Sequence, residues 1–280
     1  MMQRNLLLMV SLRYQGNRVH TLPFGDEDMR KWIALLLLLI PVAASAEISV
    51  GIGKDYESFT QAVYDTVDSG KTIVVYPGEY DIRSEYEALF GENVPEAFAY
   101  GVFLHDRNVV FMPGAKLTCV WDRSDNFSVL YSGGNVLLDG LDLYAEGMLY
   151  AIHDDLWHWE EPYVNEYRYC RVIGHLLKNA NCIGGGVAQN ARIIIDNCYF
   201  DNGVDESITV RYHNIDLPMA KGDIWISNSY FNGYLAMCYY GGSSHLDVYV
   251  NGCKAERIET RKETPESMVR NIDMYKWNNE

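Results

Sequence analysis

Apolar side chains recur along this chain in an eight-residue band that returns every two to three dozen residues. The bands are VFMPGAKL at 110–117, VLLDGLDL at 136–143, NEYRYCRV at 165–172, IIIDNCYF at 193–200, IWISNSYF at 224–231 and VYVNGCKA at 248–255. Successive bands start 26, 29, 28, 31 and 24 residues apart, a spacing typical of a solenoid. Within each band the first, third, sixth and eighth positions are mostly apolar.

The middle of most bands predicts a sharp bend between two short strands. The turn-prone pairs found there are Pro113-Gly114, Asp139-Gly140, Asp196-Asn197, Ser227-Asn228 and Asn251-Gly252. The sixth position holds Ala115, Leu141, Cys170, Cys198, Ser229 and Cys253, which we expect to form an inward column. Coils stacked about 4.8 Å apart bury the apolar face that one strand leaves exposed. We therefore predict an all-β protein, a single-stranded right-handed parallel β-helix.

A secretory signal is predicted at 29–46, MRKWIALLLLLIPVAASA, with cleavage after Ala46. Its apolar run is shorter than a membrane span, so we expect no stable span after cleavage and a secreted or cell-surface protein. We therefore expect translation to begin at Met29, and residues 1–28 to be an upstream extension that is not translated. The alternative is an N-terminal anchor helix that stays attached.

The β-helix domain is predicted at 47–280. An apolar stripe at 55–69 predicts a helix that caps the first coil, formed by Tyr56, Phe59, Ala62, Val63 and Val67. Coils follow at about 71–260, with 83–108 as a looser acidic stretch. The polar tail predicts an irregular C-terminal cap at 261–280.

The phrase GKTIVVYPGEYDI at 70–82, after a short helix, resembles the entrance of the pectin-lyase-like right-handed β-helix superfamily. The chain is also similar to β-helix proteins of gut bacteria and their phages, through IHDD at 152–155, YRYCRVIG at 167–174 and CIGGG at 182–186. The resemblance implies the β-helix fold over about 55–260. The superfamily includes lyases, hydrolases, esterases and non-catalytic tail or adhesin parts, so it implies no single activity.

The chain is strongly acidic, with a net charge of −15 at pH 7. Such a field repels a nucleic-acid backbone, so we expect no nucleic-acid partner. It does not exclude an acidic polysaccharide, because local basic residues or a bound cation invert the local potential.

The six cysteines fit either a disulfide framework or a set of buried thiols. Cys170, Cys198 and Cys253 share the sixth position, and Cys182 and Cys238 fall on inward positions of another strand. A small hydrophobic side chain suffices at such places, so we predict buried, unpaired cysteines.

A second strand in each coil runs AIHD at 151–154, CIGG at 182–185, TVRY at 209–212 and MCYY at 237–240. Alternation predicts an inward column of Ile152, Ile183, Val210 and Cys238. The following position then gives an outward column of His153, Gly184, Arg211 and Tyr239. One step further stand Asp154, Gly185, Tyr212 and Tyr240.

Gly184 and Gly185 allow two interpretations. In the first, they leave a groove without side chains between His153 and Arg211 that is wide enough for a sugar ring. In the second, they allow a tight bend or a close approach of the backbone. With a groove, Asp154, Tyr212, Tyr239 and Tyr240 are the predicted substrate-binding residues.

An insertion at 154–167, DDLWHWEEPYVNEY, adds Trp157 and Trp159 beside carboxylates. Flat apolar rings and hydroxyl acceptors are what sugar recognition needs. The alternative is a lid whose indoles pack on the wall of the solenoid.

Two reactions fit these residues. In β-elimination a base removes the proton next to a uronate carboxylate while a cation stabilises the enolate. The resemblance implies an Arg as the base. Arg211 is the residue predicted as base or charge stabiliser, with His153 or His213 assisting. The resemblance also makes calcium a possible cofactor, with Asp154 and Asp155 as weak candidate ligands.

Hydrolysis requires a carboxylate pair, for which Asp205 and Glu206 are the candidates in DNGVDESI. They partly match the Asp-rich strand ends of polygalacturonases, but the Gly-His signature of that family is absent. We expect a protein that binds and cleaves an extracellular polysaccharide, with lyase chemistry slightly favoured. The alternative is a non-catalytic glycan-binding or structural β-helix, such as an adhesin or phage tail component. The oligomeric state stays open.

Overall fold

The structure is a computed structural model that describes residues 47–91, 101–121, 128–155, 161–176, 180–187, 190–204, 207–213, 221–239, 245–262 and 272–280. These residues belong to one compact unit, Ser45–Glu280. Within these ranges no helix is long and apolar enough to cross a membrane. The predicted signal sequence at 29–46 and the predicted extension at 1–28 lie outside the described residues.

The described chain winds into stacked coils built from short strands. In chain order they are β1 Ile48–Val50, β2 Ile73–Val75, β3 Gly78–Asp81, β4 Val102–Leu104, β5 Arg107–Phe111, β6 Ala115–Val120, β7 Ser128–Ser132, β8 Val136–Asp139, β9 Asp142–Glu146, β10 Tyr150–His153, β11 Val164–Arg168, β12 Arg171–His175, β13 Asn181–Gly186, β14 Ala191–Asp196, β15 Tyr199–Asp201, β16 Ile208–His213, β17 Lys221–Ser227, β18 Tyr230–Tyr239, β19 His245–Asn251, β20 Lys254–Lys262 and β21 Ile272–Trp277. Two helices, α1 Phe59–Asp65 and α2 Ile82–Phe90, lie near the N-terminal end.

The strands form three walls, and their pairings are parallel. Wall 1 is a nine-stranded sheet in the order β1-β2-β5-β8-β11-β14-β17-β19-β21. Wall 2 contains β3, β6, β9, β12 and β15, and wall 3 contains β4, β7, β10, β13 and β16. Strands β18 and β20 join walls 2 and 3 into one twelve-stranded sheet. The fold is therefore the predicted parallel β-helix.

The register of wall 1 confirms the repeat from the second band onward. Val136 pairs with Asn165, and the stack continues through Ile193, Ile224 and Val248. The side chains at the sixth position of the six bands, from Ala115 to Cys253, are all buried, with at most 4% of their surface exposed. The predicted inward column is therefore confirmed.

The bends between walls 1 and 2 adopt the left-handed conformation. The second residue of each predicted pair has a positive φ, which is 77° at Gly140, 54° at Asn197, 50° at Asn228 and 64° at Gly252. Glycine and asparagine enter this region most easily, which explains why they recur at the bend. In the third band the same place is taken by Tyr169, with φ 53°.

The first band departs from the predicted alignment. Val136 pairs with Arg107, and Val110 pairs with Asp139, so β5 is displaced by three residues. Leu117 nevertheless pairs with Leu143, as predicted. The corner between β5 and β6 therefore contains additional residues, which a fixed eight-residue band does not anticipate.

The inward column of wall 3 is correct except at its last member. Ile152, Ile183 and Val210 pair in succession, but Leu235 occupies the place predicted for Cys238. Cys238 instead pairs with His213. The reason is that β18 runs for ten residues from wall 2 into wall 3, with a register irregularity opposite β16.

The N-terminal cap is shorter than predicted. Helix α1 begins after the N-cap Ser58, whose hydroxyl accepts a hydrogen bond from the Gln61 amide. Phe59, Ala62 and Val63 are buried as expected, whereas Val67 lies beyond the helix and is half exposed.

Where the structure describes the region 83–108, it contains most of α2, the strand β4 and the start of β5 rather than a loose stretch. The Glu85 carboxylate in α2 accepts hydrogen bonds from the first amides of α1, at Phe59 and Thr60. At the other end of α1, the buried Arg107 donates to the Thr66 carbonyl at 2.6 Å. Both ends of the capping helix are thus fixed by charged side chains.

The C-terminal end is regular where the structure describes it. Strand β21 pairs in parallel with β19, so part of the predicted irregular cap at 261–280 is a further coil. The sequence did not predict this strand because its outward residues are charged or aromatic and half exposed.

All six cysteines are buried and free, as predicted. Burial raises the pKa of the Cys119 thiol to about 12. These thiols are packing groups in the core rather than nucleophiles.

Candidate functional site

The predicted outward column of His153, Gly184 and Arg211 lies on the outer surface of wall 3. Phe103, Tyr131 and His153 stand on successive coils, followed by Gly184 and Arg211. Arg211 is half-buried on this surface, at the position expected for it. Ala236 continues the column after Arg211, so Tyr239 does not lie in it.

Aromatic rings surround His153. The Tyr150 ring stacks on the imidazole with centroids 4.6 Å apart, and the Tyr131 ring meets it edge-on at 5.2 Å. His153 is consequently only 6% exposed. The imidazole Nε2 lies 3.4 Å from Asp155 Oδ2, and the Tyr131 hydroxyl donates to the Asp155 carbonyl. His153 is thus held in one orientation by its neighbours.

Tyr150 connects His153 to Arg211. The Arg211 Nη1 donates to the Tyr150 phenol oxygen at 3.1 Å. Between the coils of these two residues lies Gly184, which has no side chain, so the phenol reaches across that coil. A guanidinium that donates to a phenol oxygen stabilises negative charge on it. The arrangement can therefore assist a proton transfer at Tyr150.

Close backbone approach accounts for both glycines. A Cβ on Gly184 would stand 1.8 Å from the Arg211 carbonyl oxygen, and one on Gly185 would stand 2.1 Å from the Asp154 carbonyl oxygen. The second of the two sequence interpretations therefore applies, although the bare coil at Gly184 also allows the contact between Tyr150 and Arg211.

Asp154 and Tyr212, predicted to bind substrate, face the core. Asp154 is 1% exposed and Tyr212 is fully buried. The Tyr212 hydroxyl donates to Asp154 Oδ2 at 3.0 Å, and Asn165 Nδ2 donates to Oδ1 at 2.7 Å. Burial raises the pKa of Asp154 from 3.8 to about 6, partly offset by these hydrogen bonds. Alternation from the inward Ile152 and Val210 itself places Asp154 and Tyr212 inward, so neither side chain lies on the outer surface where the substrate was predicted to bind.

The weak calcium candidates do not form one site. The Asp154 carboxylate is occupied by Asn165 and Tyr212, whereas the Asp155 carboxylate lies beside His153. Among the described residues, a His/Asp group with converging ligand atoms lies instead on wall 1, formed by His245, Asp247 and Asp273.

The remaining predicted residues are divided between the described and undescribed parts. His213 is half-buried, two residues after Arg211 on β16, and pairs with Gly186 and Cys238. Tyr239 pairs with Lys262 at the end of β18. The predicted residues outside the described ranges are Trp157, Trp159, Asp205, Glu206 and Tyr240.

Tyr150 and Tyr131 were missed by the sequence analysis. Tyr131 shares the register column of His153, so its place was available from the repeat once β7 was aligned. Tyr150 has no such signal, because its role depends on the reach of its ring across a neighbouring coil.

Comparison with known proteins adds one distant likeness. No family model matches the sequence, and no curated protein matches it. Among solved structures, the catalytic domain of a GH87 α-1,3-glucanase in complex with nigerose is 12% identical, with a TM-score of 0.26. The match covers 81% of this chain and 56% of that one, so this chain spans little more than half of its length. The fold described above rests on the strands and their register.

Proposed function

We propose that this protein is a secreted β-helix that binds an extracellular polysaccharide on the outer surface of wall 3 and cleaves it by β-elimination. The observation that carries the proposal is the contact between Arg211 and Tyr150 on that surface, with Tyr150 stacked on His153. A cation, a phenol and an imidazole in contact supply the groups that an elimination needs.

The substrate of such a reaction is a polysaccharide that contains a uronate. Removal of the C5 proton gives an enolate whose charge the Arg211 guanidinium stabilises. The C4–O bond then breaks, a C4–C5 double bond forms, and the leaving oxygen takes up a proton. The Tyr150 phenol oxygen, as the phenolate, accepts the C5 proton and returns it to the leaving oxygen, while His153 holds the phenol ring in place.

The two carboxylates that the described part of this surface carries do not form a hydrolytic pair. Glycoside hydrolases hold two carboxyl groups about 5 to 9.5 Å apart. On the described part of this surface, Asp155 follows β10 and Glu259 lies on β20, four coils further on. At about 4.8 Å per coil the two are about 19 Å apart, too far to act on one bond.

The test is an assay of acidic polysaccharides with two readouts, ultraviolet absorbance of an unsaturated product and new reducing ends. We expect both signals to rise together. Tyr150→Phe and Arg211→Gln should lower kcat at least about 100-fold. The matched control is Arg171→Gln on wall 2, which loses an ion pair with Asp142 away from this surface and should retain activity. Reducing ends without absorbance would contradict elimination, and full activity of Tyr150→Phe would exclude this site.

A non-catalytic glycan binder is the second candidate. The burial of His153 beneath Tyr131 and Tyr150 favours it, because a covered imidazole has little access to a substrate. Retention of a glycan without any product in the same assay would select this function.

A further inference from the structure

The outer surface of wall 1 carries an exposed ladder of aromatic rings that the proposed reaction does not use. Trp225, Tyr249 and Tyr275 pair in register on β17, β19 and β21. The ring centroids of Trp225 and Tyr249 are 4.1 Å apart with planes inclined by 18°, and those of Tyr249 and Tyr275 are 5.1 Å apart with planes inclined by 13°. The rings thus stack face to face along the axis of the β-helix.

This stacking leaves one face of the indole available. Tyr249 covers the face of Trp225 toward the C-terminal end, yet Trp225 is still 41% exposed. On the other side the register neighbour is Ile194, whose aliphatic side chain is much smaller than the indole. The uncovered part of the ring therefore faces the space above Ile194, and the two tyrosines fix it from behind.

That space is an open cleft of about 470 Å³. Ile194 and Trp225 give it an apolar floor and wall, and its polar lining includes Arg168, Asp139, Asp196 and Ser227. Its volume is within the range of about 300 to 1,000 Å³ usual for small-ligand sites. One flat apolar wall with hydroxyl donors and acceptors around it is the arrangement that holds a pyranose ring.

The charges around the cleft favour a neutral sugar. The Arg168 guanidinium is paired with Glu166, and Arg192 forms two hydrogen bonds with Asp223, at 2.8 and 2.7 Å. Among the described residues, the Asp196 carboxylate accepts hydrogen bonds from Ser227, Asn197 and Asn228, which are uncharged, and forms no ion pair. A carboxylate in this state disfavours an anionic sugar and accepts hydrogen bonds from hydroxyl groups.

We propose that this cleft binds a neutral hexopyranose unit of a polysaccharide, stacked on the free face of Trp225. The site lies on wall 1 and uses none of the residues assigned to wall 3. It therefore holds whether or not wall 3 is catalytic.

The test is calorimetric titration of the full chain with neutral gluco-oligosaccharides, namely cellohexaose, laminarihexaose and maltohexaose, and with oligogalacturonate of equal length. We expect at least one neutral oligosaccharide to bind, and Trp225→Ala to weaken that binding at least tenfold. Trp225→Phe should restore part of the affinity because it restores a flat ring. The control Trp277→Ala removes another exposed indole of β21 and should leave the affinity unchanged.

Three results would overturn the proposal. They are equal affinity of Trp225→Ala and the unaltered chain, tighter binding of oligogalacturonate at this cleft, and no binding of any neutral oligosaccharide up to about 10 mM. Light scattering at the same concentrations provides a fourth test. If the unaltered chain is a dimer and Trp225→Ala is a monomer, the indole binds a second copy of the chain, and the proposal is overturned. The wall 3 assay of Trp225→Ala on short substrates should be unchanged, which separates this site from the proposed reaction.

Discussion

Tyr169 is the residue at which the repeated bend is filled least favourably. Its φ of 53° places a large L-residue in a region where the equivalent positions hold Gly140, Asn197, Asn228 and Gly252. Its side chain is 62% exposed, so packing offsets little of the strain. The left-handed conformation costs most residues about 1 to 2 kcal/mol, and less for asparagine.

We therefore expect Tyr169→Asn to raise the free energy of unfolding by about 1 kcal/mol. Urea denaturation of the two proteins measures this difference. The reverse change at an equivalent bend, Asn197→Tyr, should lower stability by a similar amount. A destabilised Tyr169→Asn would show that the tyrosine makes compensating contacts.

Asp154 gives the stability a pH dependence of unusual sign. Because its folded-state pKa is raised from 3.8 to about 6 by burial, the folded protein holds this proton more tightly than the unfolded chain does. The associated stability is fully present below about pH 4 and is lost as the pH rises through about 6.

Comparison of the unaltered chain with Asp154→Asn isolates this effect. The difference in unfolding free energy between the two should move by about 2 kcal/mol in favour of the variant from pH 4 to pH 7. Denaturant titrations across that range provide the measurement. A constant difference would mean that Asp154 titrates alike in both states.

Among the elements, the strand β13 requires glycine at the position that faces β16. A Cβ at Gly184 would stand 1.8 Å from the Arg211 carbonyl oxygen of β16, so Gly184→Ala forces these strands apart. We expect a loss of about 3 kcal/mol or more, seen as a lower denaturation midpoint. In Gly78→Ala the nearest atom lies at 3.4 Å, and this control should change stability by less than about 0.5 kcal/mol.

The elements were predictable where the repeat is strict. The bends and the column from Leu141 to Cys253 follow from side-chain alternation and the need for Gly or Asn at a left-handed position. The corner of the first band and the long strand β18 were not predictable, because the number of residues at a corner is set by local packing rather than by period. Helix α2 was missed because nine residues of mixed polarity give little periodic signal.

The same limit applies to the site. His153 and Arg211 were placed in one outward column because that inference needs only the spacing of the repeat. The contact of Tyr150 with Arg211 spans two coils and depends on side-chain reach, which spacing does not encode. The inward direction of Asp154 follows from alternation with Ile152, but its buried partners, Asn165 and Tyr212, do not follow from spacing.

At the scale of the whole molecule, the two ends of the described β-helix differ. The outermost strands at both ends pair on one side only, but those at the N-terminal end also pack against α1 and α2. The free edge of β20 carries alternating charges, including Lys254, Glu256 and Arg257, which discourage pairing with other strands.

Because each coil contacts only its neighbours, local opening should begin at the less covered end. We expect the amides of β21 and β20 to exchange hydrogen fastest and those of β8 and β11 slowest. Hydrogen exchange followed by mass spectrometry of peptides resolves this order. Uniform protection along the rod would indicate that it opens as one unit.

The continuous strand β18 has a consequence for any long polymer that lies across the molecule. Before it, walls 2 and 3 are built from separate strands, but along β18 and β20 they merge into one ribbon. A chain laid along wall 3 therefore has a different surface beneath it at each end. Since polysaccharides have distinct reducing and non-reducing termini, such a surface selects one polarity of the bound chain over the other.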